Sequence, residues 1–141
     1  MSRPPKIPNL LPLDHETIYF LTLCVQSRRP VLNNMETWNA CLDVASKMDR
    51  WHVLALILMP DHLHALVSPY DRDLSVNDFS HWFKKGMISK LKPTWKWQRG
   101  SFDRLLRTDE SAAQKWEYMR YNPVRAELVK SVNEWPYQKG L

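Results

Sequence analysis

Residues 51–68 constrain the fold more than any other part of this 141-residue chain. They read WHVLALILMPDHLHALVS, a nearly unbroken apolar run interrupted by Met59-Pro60-Asp61. Proline removes an amide donor and favours a turn, so the run divides into two short strands, 51–59 and 62–68. Strand side chains alternate between faces. His62, His64 and Leu66 therefore share one face, and Leu63, Ala65 and Val67 share the other. Two imidazoles on one face of a sheet are able to hold one metal ion between them, which supplies half of a metal site on a rigid support. The same two residues also fit a plainer reading, as hydrogen-bonded histidines with no ligand.

The remaining elements are set by local pattern. Residues 18–26 are rich in aromatic and β-branched side chains and read as a strand. Residues 34–49 carry Trp38, Leu42, Ala45 and Met48 at helical spacing. Ser75-Val76-Asn77-Asp78 resembles a capping box with Asp in the usual place of Glu, and opens a helix that Pro93 stops. Residues 101–107 form a candidate fourth strand. Residues 111–121 read as a helix, with a short helix after Asn122-Pro123. The first six elements thus have the order of a ferredoxin-like α+β sandwich. Helices cover one face of an antiparallel sheet, and the other face stays open for a ligand or a further helix. Residues 1–13 contain Pro4, Pro5, Pro8 and Pro12 together with Arg3 and Lys6. They are expected to form an extended basic arm ahead of a single domain over 14–141.

Charge points to a polyanionic partner. Twenty basic residues against fifteen acidic give a net charge of +5. Residues 81–107 concentrate it, with Lys84, Lys85, Lys90, Lys92, Lys96, Arg99, Arg104 and Arg107 against Asp103 alone. Trp82, Phe83, Trp95, Trp97 and Phe102 interleave with these cations. Cations hold phosphates and flat rings stack on unpaired bases. The alternative is a solvated basic face over ordinary core tryptophans, and for Trp95 and Trp97 the two readings weigh equally. Cys24 and Cys41 form no CxxC and read as reduced thiols, which suits the cytoplasm. No apolar run reaches the ~18 residues of a membrane span, and the start lacks a secretion-signal pattern. A zinc hydrolase is disfavoured because His15, His52 and His81 are scattered and supply no third ligand. An RNA-recognition module is disfavoured because the central sheet positions carry histidines rather than aromatics.

A second segment, Tyr118-Met119-Arg120-Tyr121-Asn122-Pro123-Val124-Arg125-Ala126, carries a further candidate site. Tyr118 and Asn122 stand four apart and share a helix face. A phenolate attacks phosphorus when a cation polarises the phosphate, and an amide oxygen completes the shell of a hard metal ion. Asn122 equally reads as a cap with Pro123 at the first helical position, and the tyrosines as packing residues.

Together the two segments resemble the REP-associated tyrosine transposases, members of the single-tyrosine HUH transposase superfamily. His62-Leu63-His64 is similar to the histidine–hydrophobic–histidine motif, in the setting Met59-Pro60-Asp61 through Val67. Trp97-Gln98-Arg99, then Phe102-Asp103-Arg104 and Arg107, resemble the central block. Tyr118 through Ala126 resembles the Tyr-x-x-x-Asn-Pro-Val-Arg-Ala block, and Trp135-Pro136-Tyr137 the closing element. The likeness runs from about Ile18 to Tyr137. Departures are Glu127, where many relatives carry Gly, and a histidine of the central block that is replaced here at Phe102 or its neighbours.

The resemblance implies an antiparallel sheet bearing the HUH motif with a C-terminal tyrosine-bearing helix. It implies metal-dependent nicking and strand transfer of single-stranded DNA at palindromic, hairpin-forming repeats. Tyr118 would be the nucleophile that forms a 5′-phosphotyrosine, preferred over Tyr121. His62, His64 and Asn122 would hold Mg²⁺ or Mn²⁺. Candidate DNA contacts are Arg3, Lys6, Lys84, Lys85, Trp95, Trp97, Arg99, Arg104, Arg107, Arg120 and Arg125. A hairpin stem is expected on the helix 75–92. The expected location is the cytoplasm of a prokaryote, associated with the nucleoid. Self-association is left open. The competing reading is a domesticated, non-catalytic DNA-binding protein acting at repetitive palindromes.

Overall fold

The computed structural model describes residues 17–71, 73–107 and 110–141. The expected arm, with Arg3 and Lys6, lies outside the described residues. Strand β1 (Tyr19–Cys24) is followed by helix α1 (Met35–Ser46), the hairpin β2 (Trp51–Leu58) and β3 (His62–Pro69), helix α2 (Val76–Leu91) and strand β4 (Phe102–Leu105). Helices α3 (Ala112–Arg120) and α4 (Asn122–Arg125) and a short strand β5 (Gln138–Lys139) complete the chain. Among the described residues the strands form one antiparallel sheet in the order β4-β1-β3-β2-β5. The first four are the ferredoxin-like order; β5 is an addition at the β2 edge that no sequence pattern announces.

Alternation on β3 divides the molecule into two layers. Leu63, Ala65 and Val67 lie in a core with Leu21, Leu23, Trp38, Val44, Phe79, Phe83 and Met87, so α1 and α2 cover that face. Leu66 belongs to a second cluster with Ile57, Met119 and Trp135, which brings α3 and the C-terminal segment onto the opposite face. Burial of these side chains is the main favourable term for the fold. Trp135 also donates from Nε1 to the carbonyl of Leu58 at 3.1 Å, anchoring the closing segment to β2.

The ends of α2 are where the sequence signals place them, whereas α1 stops at Ser46 rather than 49 and α4 is capped by Tyr121 rather than Asn122. Ser75 and Asp78 form a reciprocal capping box on α2, and Ser111 and Gln114 form one on α3. Lys92 ends α2 in the left-handed conformation ahead of Pro93. Helix α4 closes in a Schellman arrangement: Glu127 N donates to Val124 O and Leu128 N to Pro123 O, each at 2.9 Å. Glu127 adopts φ 61°, the conformation that favours glycine. Glu127→Gly is expected to raise the unfolding free energy by about 1 kcal/mol, read from chemical denaturation. Gly140 meets the opposite constraint, because a Cβ there would run into the indole of Trp116 on α3. Gly140→Ala should cost roughly 1–3 kcal/mol in the same measurement.

Candidate active site on the open face of the sheet

His62 and His64 leave the hairpin turn side by side on the face that α1 and α2 do not cover. Their ring centroids are 4.6 Å apart at an interplanar angle of 70°. Each ring is held through Nδ1. For His62 the partner is Asp61 Oδ1 at 2.7 Å, and Arg28 Nε donates to the other carboxylate oxygen at 2.8 Å. For His64 the partner is Thr22 Oγ1 at 2.8 Å, one strand away in register, and the Phe20 ring stacks on it at 4.9 Å. Carboxylate and hydroxyl partners at Nδ1 orient Nε2 outward, as the supporting groups of metal-binding histidines do.

The electrostatics keep both rings neutral. Burial lowers the His62 pKa against the pull of Asp61. Burial, reinforced by His62, Lys115 and Arg125, pushes His64 down to about 3. Burial raises Asp61, but its hydrogen bonds with His62 and Arg28 outweigh this and hold it below the usual carboxylate range. Neutral imidazole is the form that binds metal. Among the described residues no third His, Cys, Asp or Glu joins the pair in a cluster able to hold a metal ion.

Helix α3 lies across the same face, seated through Met119, with Trp116 packed against the cluster. Tyr118 points outward and is 57% exposed. Lys115 Nζ stands over two rings, 4.2 Å from the Phe20 centroid and 4.7 Å from that of Tyr118. The Arg125 guanidinium covers Tyr118 at 4.2 Å and donates from Nη2 to the Tyr118 carbonyl and to Asn122 Oδ1, both at 2.7 Å. A continuous series of contacts therefore runs from His64 through Phe20 and Lys115 to Tyr118, Arg125 and Asn122. Tyr121 is also exposed. Sequence spacing brought forward His62, His64, Tyr118 and Asn122. It missed Phe20, Thr22 and Arg28, which come from another segment, and also Asp61 and Lys115, which neighbour His62 and Tyr118 in the chain; the nearest signals were the alternation of Phe20 and Thr22 on β1, the acid beside His62 and the helical spacing of Lys115 and Tyr118.

The other candidate contacts are scattered. Lys84 is turned inward, donating to the carbonyls of Gln98 at 2.9 Å and Gly100 at 2.5 Å, and burial lowers its pKa. Lys85 is exposed and stands 5.2 Å over the Trp82 ring. Trp95 and Trp97 are each only 9% exposed and pack edge to face at 5.0 Å in the α1–α2 core, so of their two readings the structure favours core packing over base stacking. Arg99 is exposed. Arg104 forms a two-pronged pair with Glu110 at 2.7 and 2.9 Å, and the Arg107 amide donates to the same carboxylate. Arg120 pairs with Glu117 and reaches Asn133. Helix α2 covers the face opposite the histidines. A stem lying on it would reach the site only around the β4 edge, whereas Lys115 and Arg125 border the site itself.

The neutral state of His64 carries a pH signature. An unfolded histidine takes up a proton below about 6.5, while the folded one resists until about 3. The unfolded state thus binds more protons between those limits, and stability falls as pH drops through that window. Denaturation at pH 7, 5.5 and 4 should show a loss of at most about 1.4 kcal/mol per pH unit from this group. His64→Gln should reduce the slope.

Comparisons with known proteins bear on the fold and the family. A Haemophilus influenzae protein provisionally named a REP-associated tyrosine transposase is 24% identical over 136 residues, covering 85% of this chain and 77% of that protein. A solved structure of a REP-associated tyrosine transposase bound to a REP hairpin superposes with a TM-score of 0.70 at 22% identity, over 98% of this chain and 81% of that one. A crystal structure of a provisionally named transposase from Deinococcus radiodurans R1 gives 0.58 at 19% identity, over 82% of this chain and 95% of that one. Both share the α+β fold. The model of the IS200-like transposases matches residues 14–104, well over half of the sequence, and the chain belongs to that family.

Proposed function

We propose that this protein nicks and rejoins single-stranded DNA at hairpin-forming repeats, with Tyr118 as the nucleophile. The observation that carries the reading is Lys115, whose ammonium touches both the ring stacked on His64 and the ring of Tyr118. A phosphate drawn to that cation would lie between the histidine pair and the phenol. In the reaction Tyr118 Oη forms a bond to phosphorus in line with the departing 3′ oxygen, and the P–O3′ bond breaks. The phenolic proton passes to solvent and the leaving oxygen takes one up. The product is a 5′-phosphotyrosine and a free 3′-OH. Attack by a second 3′-OH reverses the step and joins new ends, so phosphodiester energy is conserved and no nucleoside triphosphate is consumed. Lys115 and Arg125 hold the phosphate and offset its developing charge.

The donor set fits a divalent cation. Nε2 of His62 and of His64 would hold Mg²⁺ or Mn²⁺ with the amide oxygen of Asn122, and imidazole suits Mn²⁺ better. When bound, the ion supplies polarisation of a non-bridging phosphate oxygen. Asn122 Oδ1 accepts from Arg125 through one lone pair, which leaves its second for a metal ion. The relative bound to a REP hairpin supports palindromic DNA as the substrate class. Lys85 and Arg99 suit the stem, as exposed cations that contact phosphate without reading sequence. The reading places the protein in the prokaryotic cytoplasm with the nucleoid. Among the described residues no helix is long and apolar enough to cross a membrane.

The test uses labelled hairpin oligonucleotides from repeats flanking the gene, with Mn²⁺, Mg²⁺ or EDTA, resolved on denaturing protein gels. Wild type should give a metal-dependent covalent adduct. Tyr118→Phe should give none while binding the same DNA with unchanged affinity. An adduct retained in that variant sinks the assignment of the nucleophile. Tight binding by wild type without any adduct would instead mark a non-catalytic DNA-binding relative.

A further inference from the structure

We propose that Phe102 is a stacking platform for an unpaired base beside the scissile phosphate. The proposal rests on the reading of the open face as a site for single-stranded DNA. Phe102 is the first residue of β4, an edge strand whose residues are all exposed. It is 61% exposed, more than any other aromatic among the described residues. Single exposed apolar side chains are common and mean little alone. Register makes this one different. Thr22 pairs with Phe102 on one side and with His64 on the other. Directly paired residues of an antiparallel sheet project from the same face, so Phe102, Thr22 and His64 form one row across the open face. Two strand spacings, about 10 Å, separate the ends of that row. A base bordering a phosphate held near His64 and Lys115 can reach across it.

The ring is also held ready. Lys84 donates to the carbonyls of Gln98 and Gly100, and Ser80 Oγ donates to Ser101 Oγ at 3.1 Å. Gly100 makes the turn at φ 77°. Helix α2 therefore fixes the segment entering β4, and the ladder to β1 fixes the strand itself. A solvent-facing ring on a fixed strand binds a base without the entropic cost of ordering a loop. Stacking reads no base edge, so the platform takes any base with a preference set by stacking strength. The role of Lys84 is to position this segment.

The experiment places 2-aminopurine singly at unpaired positions on either side of the nick in a hairpin oligonucleotide from the repeats flanking the gene. Fluorescence and affinity are read with wild type, Phe102→Ala, Phe102→Leu and Phe102→Trp. Wild type should quench one position strongly. Alanine and leucine should abolish that quench and weaken binding roughly 5- to 150-fold, the loss that removing a stacking ring produces. Tryptophan should restore both. Binding of the paired stem without its single-stranded flank should be equal in all four proteins. If wild type forms the Tyr118 adduct but quenching and affinity are the same in Phe102→Ala, the stacking proposal is overturned and the functional reading stands. If Phe102→Ala changes only the oligomeric state, β4 is an interface between copies and the proposal is again overturned. If wild type binds none of these oligonucleotides, both readings fall together.

Discussion

The register of β3 is the constraint on which the site depends. That strand is hydrogen-bonded on both sides, to β1 and to β2, so its pairing settles which side chains face which layer. A slip of one residue would carry Leu63 and Ala65, both fully buried, onto the open face and drive the two imidazoles into the α1–α2 core. The loops around the hairpin act against such a slip. Met59 N donates to His62 O at 2.8 Å, Val25 N to Asp61 O at 3.0 Å and Leu32 N to Pro60 O at 2.9 Å. The turn after β1, left-handed at Ser27 and Arg28, brings the Arg28 guanidinium to Asp61 and so to His62. The same hydrogen bonds that fix the hairpin therefore fix the orientation of the first histidine.

The open face is only partly open. Met119, Trp135 and Ile57 form a second, smaller core between the sheet and α3, and β5 pairs beside it at the β2 edge. The close fit of Gly140 beneath Trp116 ties this added strand to the helix that carries Tyr118. Apolar contact thus holds the inner side of α3, and its outer side is left to polar and aromatic groups. A loosely docked helix would leave Tyr118 at variable distance from the histidines. A helix seated on a packed cluster keeps Lys115, one turn before Tyr118, over the Phe20 ring that stacks on His64.

Much of this was legible in the sequence because it is encoded by period. Alternation in residues 62–67 sorted the two faces of β3, and the capping pattern at Ser75 located a helix start; Tyr118 and Asn122, read four apart on one helix, instead stand on α3 and α4 and are joined through Arg125. The residues that escaped have no period to read. Thr22 and Phe20 meet the site through pairing across strands, from a segment far away in the chain, whereas Asp61 adjoins His62 and Lys115 stands one turn before Tyr118 on α3, so only their contacts, not their places, were hidden. Strand β5 is two residues long, too short for any pattern. The basic and aromatic block of residues 81–107 misled differently. Composition cannot separate an ammonium aimed at solvent from one aimed at two carbonyls, as for Lys84. Yet Lys84 lies four residues after the buried Ser80, at the flank of the buried stripe, and Trp95 and Trp97 sit at strand spacing. Both patterns pointed inward.

Arg125 joins the two halves of the proposed chemistry. One guanidinium covers the Tyr118 ring, caps the carbonyl of the same residue and holds the amide of Asn122. The planar fork of arginine allows this, since it offers donors in fixed directions and a flat face to a ring at the same time. Both bonds leave the one nitrogen Nη2, so a lysine there would bring the charge and the donors but not the flat face that covers the Tyr118 ring. The phenol proposed to attack and the amide proposed to ligate are therefore set by one side chain rather than by two independent ones. A shift of Arg125 toward an arriving phosphate would release Asn122 in the same motion. The contacts of the site thus bear directly on the proposed chemistry, because one guanidinium sets both the phenol and an amide oxygen whose second lone pair stays available to a ligand.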